Sequence, residues 1–406
     1  SFQQWEWEKV PKYRMEQVRN WIFEKGVLAW DQMSNLPKSL RNDLQEKFDL
    51  LPMESVQVQG SSDTTQKVLW KLRDQQFIES VLIRATQGTK GVRASRLTLC
   101  VSTQVGCALG CKFCASGLDG LKRNLTTGEI VGQVLRARNE ASRRIDNLVF
   151  MGMGEPLANL PALLPALDII LSPEGMGIGA RHITLSTSGL VPKILELAKY
   201  PAQIRLAVSL HGGDDETRRK IMPINDRYPI EDLFRACEQF IEQRKKMITL
   251  EYILIQGVND DLKQAELLAE HAQRLNAKVN LIPYNRVDGL SWERPDLEHI
   301  NEFYKTADKF RSKKVWWVCS KGHEYQMQVA ERTHSHRGCS ICSKFSGSAQ
   351  ETRLFTELKS LFPDAKFRHK IEGVEIDVFL PSANVGVEYD GSYYHRDKLG
   401  KDKEKN

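Results

Sequence analysis

At 406 residues with 41% apolar side chains, the chain is too long for one average domain and can bury a sizeable core, so two or three domains are expected. It has no run of about 18 apolar residues, and its first residues, SFQQWEWEKV, lack a charged-then-apolar order, which argues against a membrane span or secretion signal and for a soluble cytoplasmic protein. Lys and Arg number 58 against 52 Asp and Glu, a net charge of +6 that permits a nucleic-acid partner without requiring one.

Residues 1–58 carry helix-period patterns. Met15, Val18 and Ile22 fall on one face of YRMEQVRNWIFEKG, and LPKSLRNDLQEKF holds a second apolar series, which predicts a small helical accessory domain. Residues 59–95 hold the β-like runs KVLWKL and FIESVLI around a polar turn at 73–76, which predicts a hairpin. Over 96–305 apolar strands alternate with helical stretches: RLTLCVSTQ, NLVFMG, HITLST, IRLAVSL, ITLEYILI and LIPYN. That rhythm predicts an α/β fold, a partial (β/α)6 TIM-like barrel with its functional residues at the C-terminal strand ends. Its first helix opens on the capping box Thr126-Thr-Gly-Glu129.

After Lys305 the rhythm stops. Within 312–345, Cys319 and His323 are followed, after fifteen intervening residues, by Cys339 and Cys342, a ligand set suited to tetrahedral zinc, so a zinc ribbon is expected. Residues 346–406 read as a truncated α+β segment, helical QETRLFTELKSLF and then the strands VEIDVFL and NVGVEYDG.

The cysteines are clustered, four between 100 and 114 and three between 319 and 342, with Cys237 alone. In a cytosolic chain that distribution favours metal sites over disulfides. Cys107, Cys111 and Cys114 stand at Cys-x3-Cys-x2-Cys spacing just after the first barrel strand. Three such thiolates can hold three irons of a [4Fe-4S] cluster and leave the fourth iron open. An open iron can be chelated by the amino and carboxylate groups of S-adenosylmethionine (SAM), which an electron then cleaves to a 5′-deoxyadenosyl radical. Structural zinc would need a fourth protein ligand, and nothing nearby completes the set.

The triplet in that place, with LCVSTQVGC at 99–107, FMGMGEP at 150–156, LSTSG at 185–189, SLH at 209–211 and LIPYN at 281–285, resembles the radical-SAM RNA adenine-C2 methyltransferases of the RlmN/Cfr family over roughly residues 5–305. The resemblance implies that Gly154, Glu155, Ser186, Ser209, Leu210, His211 and Asn285 contact SAM, that Cys100 is a resolving cysteine and that Glu79 is a proton acceptor. In the implied reaction one SAM methylates a protein cysteine and a second yields the radical that abstracts hydrogen from that methyl. The carbon radical adds to C2 of adenosine; a base then removes the C2 proton, and a second cysteine displaces the first as a disulfide. The implied substrates are 23S rRNA, in its peptidyl transferase region, and the anticodon loop of tRNA. C2 rather than C8 methylation, an electron donor such as flavodoxin, and a monomer are implied as well.

The resemblance ends at about 306–311. The family's methyl-carrying cysteine lies in a Gly-Asp-Ile-x-Ala-Ala-Cys-Gly type segment that this sequence does not contain, and Cys319, the sequence-near substitute, belongs to the zinc motif. Further on, Glu351, Asp377 and Glu388 resemble the carboxylates with which PD-(D/E)xK nucleases gather Mg²⁺, although Asp390 replaces the usual Lys. Two readings stay open: a radical-SAM RNA methyltransferase, and a zinc-ribbon nucleic-acid-binding or nuclease-like protein whose barrel is a non-methylating scaffold. A join of two unrelated sequences would give the same pattern.

Overall fold

The structure, a computed structural model, describes residues 10–50, 52–61, 64–84, 96–287 and 289–311, and beyond them 314–318, 324–328, 358, 362–371, 374–383 and 385–387. The chain divides into two units, Ser1–Arg311 and Ser312–Asn406.

In the first unit, α1 (Lys12–Arg19) runs on through a wider turn, Asn20–Lys25, and stops at Gly26, whose positive φ of 65° suits a residue without a Cβ. Val18 of α1 and Leu44 of α2 (Lys38–Lys47) close a small separate core with Trp30, Met33 and Leu36. The helical domain is shorter than the sequence reading made it. Met53–Gly60 is a strand, β1, antiparallel to β2 (Thr65–Leu72), which pairs with β3 (Phe77–Arg84). The expected hairpin therefore has three strands. In β1 only Met53 is buried, while Val56 and Val58, which alternate with Gln57 and Gln59, face solvent, so that alternation marks no core face.

β3 also pairs antiparallel with β4 (Leu97–Cys100), the first barrel strand. The run RLTLCVSTQ is not one strand. β4 stops at Cys100, and β5 (Gln104–Gly106) pairs instead with β6 (Leu121–Asn124). The break is held by Gln133 of α3 (Thr127–Ala141): it accepts from Ser102 N at 2.8 Å and donates to Ser102 O at 2.9 Å, taking both backbone groups from the ladder. The capping box at the start of α3 forms as expected, Glu129 N meeting Thr126 Oγ1 at 3.2 Å and Thr126 N meeting Glu129 Oε2 at 2.8 Å.

The remaining strands and helices alternate: β7 (Asn147–Phe150), α4 (Leu160–Leu171), β8 (Ile183–Thr187), α5 (Val191–Leu197), β9 (Arg205–Ser209), α6 (Asp215–Ile221), α7 (Ile230–Arg244), β10 (Thr249–Leu254), α8 (Leu262–Arg274), β11 (Lys278–Pro283) and α9 (Leu297–Arg311). The sheet order is β1-β2-β3-β4-β7-β8-β9-β10-β11, with β4 to β11 parallel. Register separates its two faces. Leu99, Leu148, Ile183 and Leu250 lie in the core with Ile130, Leu163, Ile194, Phe234 and Leu268 of the crossover helices. The opposite face carries Cys100, Thr184, Ser186, Ser209, Glu251 and Asn280, a polar lining that curves around the site. Among the described residues no helix is long and apolar enough to cross a membrane.

In the second unit, β12 (Lys314–Val318) and β13 (Glu324–Gln328) form an antiparallel pair. β14 (Lys366–Ile371), β15 (Val374–Leu380) and β16 (Val385–Val387) form a three-stranded antiparallel sheet, in which Ala365, Val378 and Leu380 are buried. β14 was not anticipated. Asp377 falls in β15, whereas Cys319, His323, Cys339, Cys342, Glu351, Glu388 and Asp390 lie outside the described residues.

Candidate functional site

The segment after β4 and the turn after β7 hold each other. Thr103 N and Gln104 N donate to Met153 O, at 2.9 and 3.1 Å, and Glu155 N donates to Gln104 Oε1 at 2.8 Å. Gly154 sits at φ 97°, and a Cβ there would come within 2.4 Å of the Gln104 side chain, so both conformation and contact demand glycine.

Glu155 is buried, and its carboxylate is occupied by protein donors: Leu157 N reaches Oε1 at 3.1 Å and Ser188 N reaches Oε2 at 2.8 Å. Burial raises its pKa, opposed by those N–H groups and by the Thr187 and Ser188 hydroxyls. Glu155 thus ties the end of β7 to the end of β8.

His211 has a positive φ of 56°, unusual for a non-glycine residue, and its carbonyl is held by Asn259 Nδ2 at 2.7 Å. Its Nδ1 accepts from Ile253 N at 3.0 Å, which places the ring proton on Nε2. Burial, and then the Arg218 charge, pull His211 down to about 3, so it is a neutral ring packed edge-on against Phe113 at 4.7 Å.

Cys107, Cys111, Cys114, Gly154, Glu155, Ser186, Ser209 and His211 line one cavity of 210 Å³, together with Phe113, Ser188 and Glu251. Leu210, by contrast, is wholly buried in the apolar core, and Asn285 is exposed, its side-chain oxygen accepting from Arg294. Cys100 is outside this lining. Its thiol accepts from Met151 N, and burial pushes it up to about 11. Val81 pairs with Cys100 across the antiparallel ladder, so Glu79, two residues along, shares that face; its carboxylate meets Lys67 Nζ at 2.9 Å. Glu251 and Ser188 were not anticipated: Glu251 lies within an apolar strand run, and its role in the lining comes from pairing opposite Ser209.

Burial, aided by the neighbouring cysteines, pushes Cys111 up to about 12, and burial also raises Cys107. Among the described residues no three ligating side chains gather closely enough for one metal ion. A single tetrahedral ion would bring sulfurs to about 3.8 Å of each other, whereas a cluster gives each iron its own thiolate and spaces them further apart. Three thiols lining one cavity suit a cluster, which gives each of three irons its own thiolate and leaves a fourth iron open.

A curved parallel sheet with a three-cysteine loop after its first strand defines a radical-SAM protein, and residues 101–268 match the family model of the radical SAM superfamily. Residues 8–50 match the ribosomal RNA large subunit methyltransferase N-terminal domain. The chain is 53% identical to a probable dual-specificity RNA methyltransferase RlmN of Akkermansia muciniphila over 77% of its own length and 87% of that protein's. It is 43% identical to the dual-specificity RNA methyltransferase RlmN of Nitratiruptor, covering 73% and 86% of the two chains. A crystal structure of a radical SAM methyltransferase from Sphaerobacter thermophilus superposes with a TM-score of 0.70 at 43% identity, covering 75% of this chain and 88% of that one. The chain belongs to the RlmN family of dual-specificity RNA methyltransferases. It is a radical-SAM RNA methyltransferase whose cofactors are a [4Fe-4S] cluster and SAM. Residues 307–345 match a different family, a probable treble clef zinc finger domain, which bears out the expected zinc module.

Proposed function

We propose that Cys107, Cys111 and Cys114 hold the cluster, that SAM lies against Gly154, Glu155, Ser186, Ser209, His211 and Asn285, with Leu210 packing behind that wall instead of touching it, and that the enzyme methylates C2 of adenosine in 23S rRNA and tRNA. The observation that carries this reading is the joining of three thiols, the Gly154–Glu155 turn and the inner-face hydroxyls in one cavity at the strand ends of a chain of this family. When bound, the cluster supplies the electron that cleaves SAM. The chain's own residues do the rest. Glu155 keeps the β7 and β8 ends in register, and His211 offers an Nε2–H donor from a fixed neutral ring against which Phe113 of the cysteine loop packs. Glu79 and Cys100, on one face of neighbouring strands, are suited to take the C2 proton and to displace the crosslink. A flavodoxin-like donor, a monomeric state and a cytoplasmic setting belong to the same reading.

The zinc-finger match stands where the family's methyl-carrying segment is expected, and this favours a second reading in which the barrel generates radicals without a methyl carrier. Anaerobic incubation with SAM, a reductant and ribosomal or transfer RNA, followed by mass spectrometry, separates the two. Methyladenosine together with 5′-deoxyadenosine supports the first reading and means that another residue carries the methyl group. Deoxyadenosine alone supports the second, and neither product sinks both.

For the C-terminal unit we assign zinc to Cys319, His323, Cys339 and Cys342, and expect metal analysis to find about one zinc per chain. Retention of that zinc in a Cys342→Ser variant would refute the assignment. Mg²⁺ binding by Asp377 and Glu388 is a proposal resting on the strand pattern alone.

A further inference from the structure

Arg218, on α6, is completely buried, and every hydrogen-bond acceptor of its guanidinium among the described residues is neutral. Nη1 donates to Asn225 Oδ1 at 2.8 Å and to Tyr228 O at 3.4 Å. Nη2 donates to Ser188 O at 2.7 Å and to Ser209 O at 3.5 Å, the ends of β8 and β9 that line the cavity. Its Nε has no partner among the described residues. Asp215 makes no hydrogen bond to the guanidinium among the described residues: its Oδ1 accepts from Asn225 Nδ2 and Ile230 N at 2.9 Å each, and its charge acts on Arg218 only through space. A sealed cation with no anion in hydrogen-bond contact is costly, and a further countercharge close by would offset that cost.

The surroundings indicate where that countercharge sits. Ile221 O, at the C-terminal end of α6, accepts from Lys112 N at 2.9 Å, so the helix bearing Arg218 braces the cysteine loop. Cys111 packs against the apolar cluster of Ile221 and Met222, and its sulfur lies 4.0 Å from Ser188 Oγ, in the residue whose carbonyl Arg218 holds. Burial pulls Arg218 down to about 10, and the strongest opposing influence is the charge of Cys111.

We infer that Arg218 is the fixed countercharge of the iron-sulfur cluster and makes it easier to reduce. Three thiolates leave the cluster negative, and one added electron deepens that charge; a guanidinium sealed in low dielectric favours the reduced state and is screened little by salt. In the reduction one electron enters the cluster and no bond of the protein forms or breaks. The inference rests on Cys111 being a cluster ligand.

The test is spectroelectrochemical titration of the reconstituted full chain without SAM, at an electrode poised through a soluble mediator. In Arg218→Gln the ratio of reduced to oxidised cluster, at the potential that half-reduces the wild type, is expected to fall at least about tenfold, which is about 59 mV for one electron. Arg218→Lys restores the charge without the fork of hydrogen bonds, so it should return the ratio to within about threefold of wild type while still melting lower. A lysine variant as shifted as the glutamine one would overturn the inference, as would a folded, iron-loaded glutamine variant with the wild-type ratio. Should the glutamine variant not fold, Asn225→Asp sets a carboxylate against Nη1 with the guanidinium in place; the same fall is expected, and an unshifted ratio rejects the idea. Failure of the wild-type chain to take up iron would count against the ligand assignment instead.

Discussion

Replacing Cys111 by alanine is expected to remove the iron-sulfur cluster and reduce SAM cleavage to background. The three cysteines enter one cavity from a loop tied at its start by Cys107 N to Gly120 O at 3.1 Å and between Cys111 and Cys114 by Lys112 N to Ile221 O at 2.9 Å. Its geometry therefore cannot reorganise to recruit a fourth residue, and two thiolates do not hold a cubane securely. The measurements are iron content, expected to drop from about four per chain to background, the visible charge-transfer absorption, and deoxyadenosine release. Cys237→Ala is the control. That thiol is wholly buried on α7 inside the apolar core, and burial pushes it up to about 12, so it behaves as a small hydrophobic group. Iron content should be unchanged in that variant. Full iron and full cleavage in Cys111→Ala would remove the basis of the site.

Glu155→Gln is expected to weaken SAM binding strongly and to lower stability by about 1–3 kcal/mol, the usual cost of leaving one buried donor without an acceptor. Glu155 accepts from backbone N–H groups through both oxygens, Leu157 N on Oε1 and Ser188 N on Oε2. An amide has one acceptor oxygen, so its NH₂ must confront one of those N–H groups whichever way it is turned. The predicted result is a lower denaturation midpoint at unchanged denaturant slope, together with a loss of SAM affinity by equilibrium dialysis of the reconstituted protein. A glutamine variant as stable as wild type would mean that the two backbone donors find other partners, and the account of Glu155 as the tie between β7 and β8 would fail.

The alternation of strands and helices over 96–305, the capping box at Thr126 and the cysteine triplet were legible because each depends on local spacing, a hydrophobic period or a motif whose partners lie within a few residues. The break after Cys100 was not legible. It depends on Gln133, thirty-one positions from Ser102, taking the strand's backbone groups. β1 escaped notice although Val56 and Val58 alternate with Gln57 and Gln59, because that run is short and its pairing with β2 is settled only in the fold.

By itself the sequence determined the family and the barrel class and named the residues proposed to carry the chemistry, since those follow from side-chain type at fixed spacing. Only the tertiary structure decided which of them share a cavity. Ser186, Ser209 and Glu251 lie on three different strands and meet because parallel register puts alternate residues on one face. Leu210, one residue beyond Ser209, is buried in the core instead. Arg218 reads in sequence as one cation in a charged stretch, DDETRRK, whose neighbour Arg219 is exposed. Folding seals the first of the pair beside the cysteine loop and leaves the second in water. The cause is the 100° turn between successive helix residues, which no charge count can distinguish.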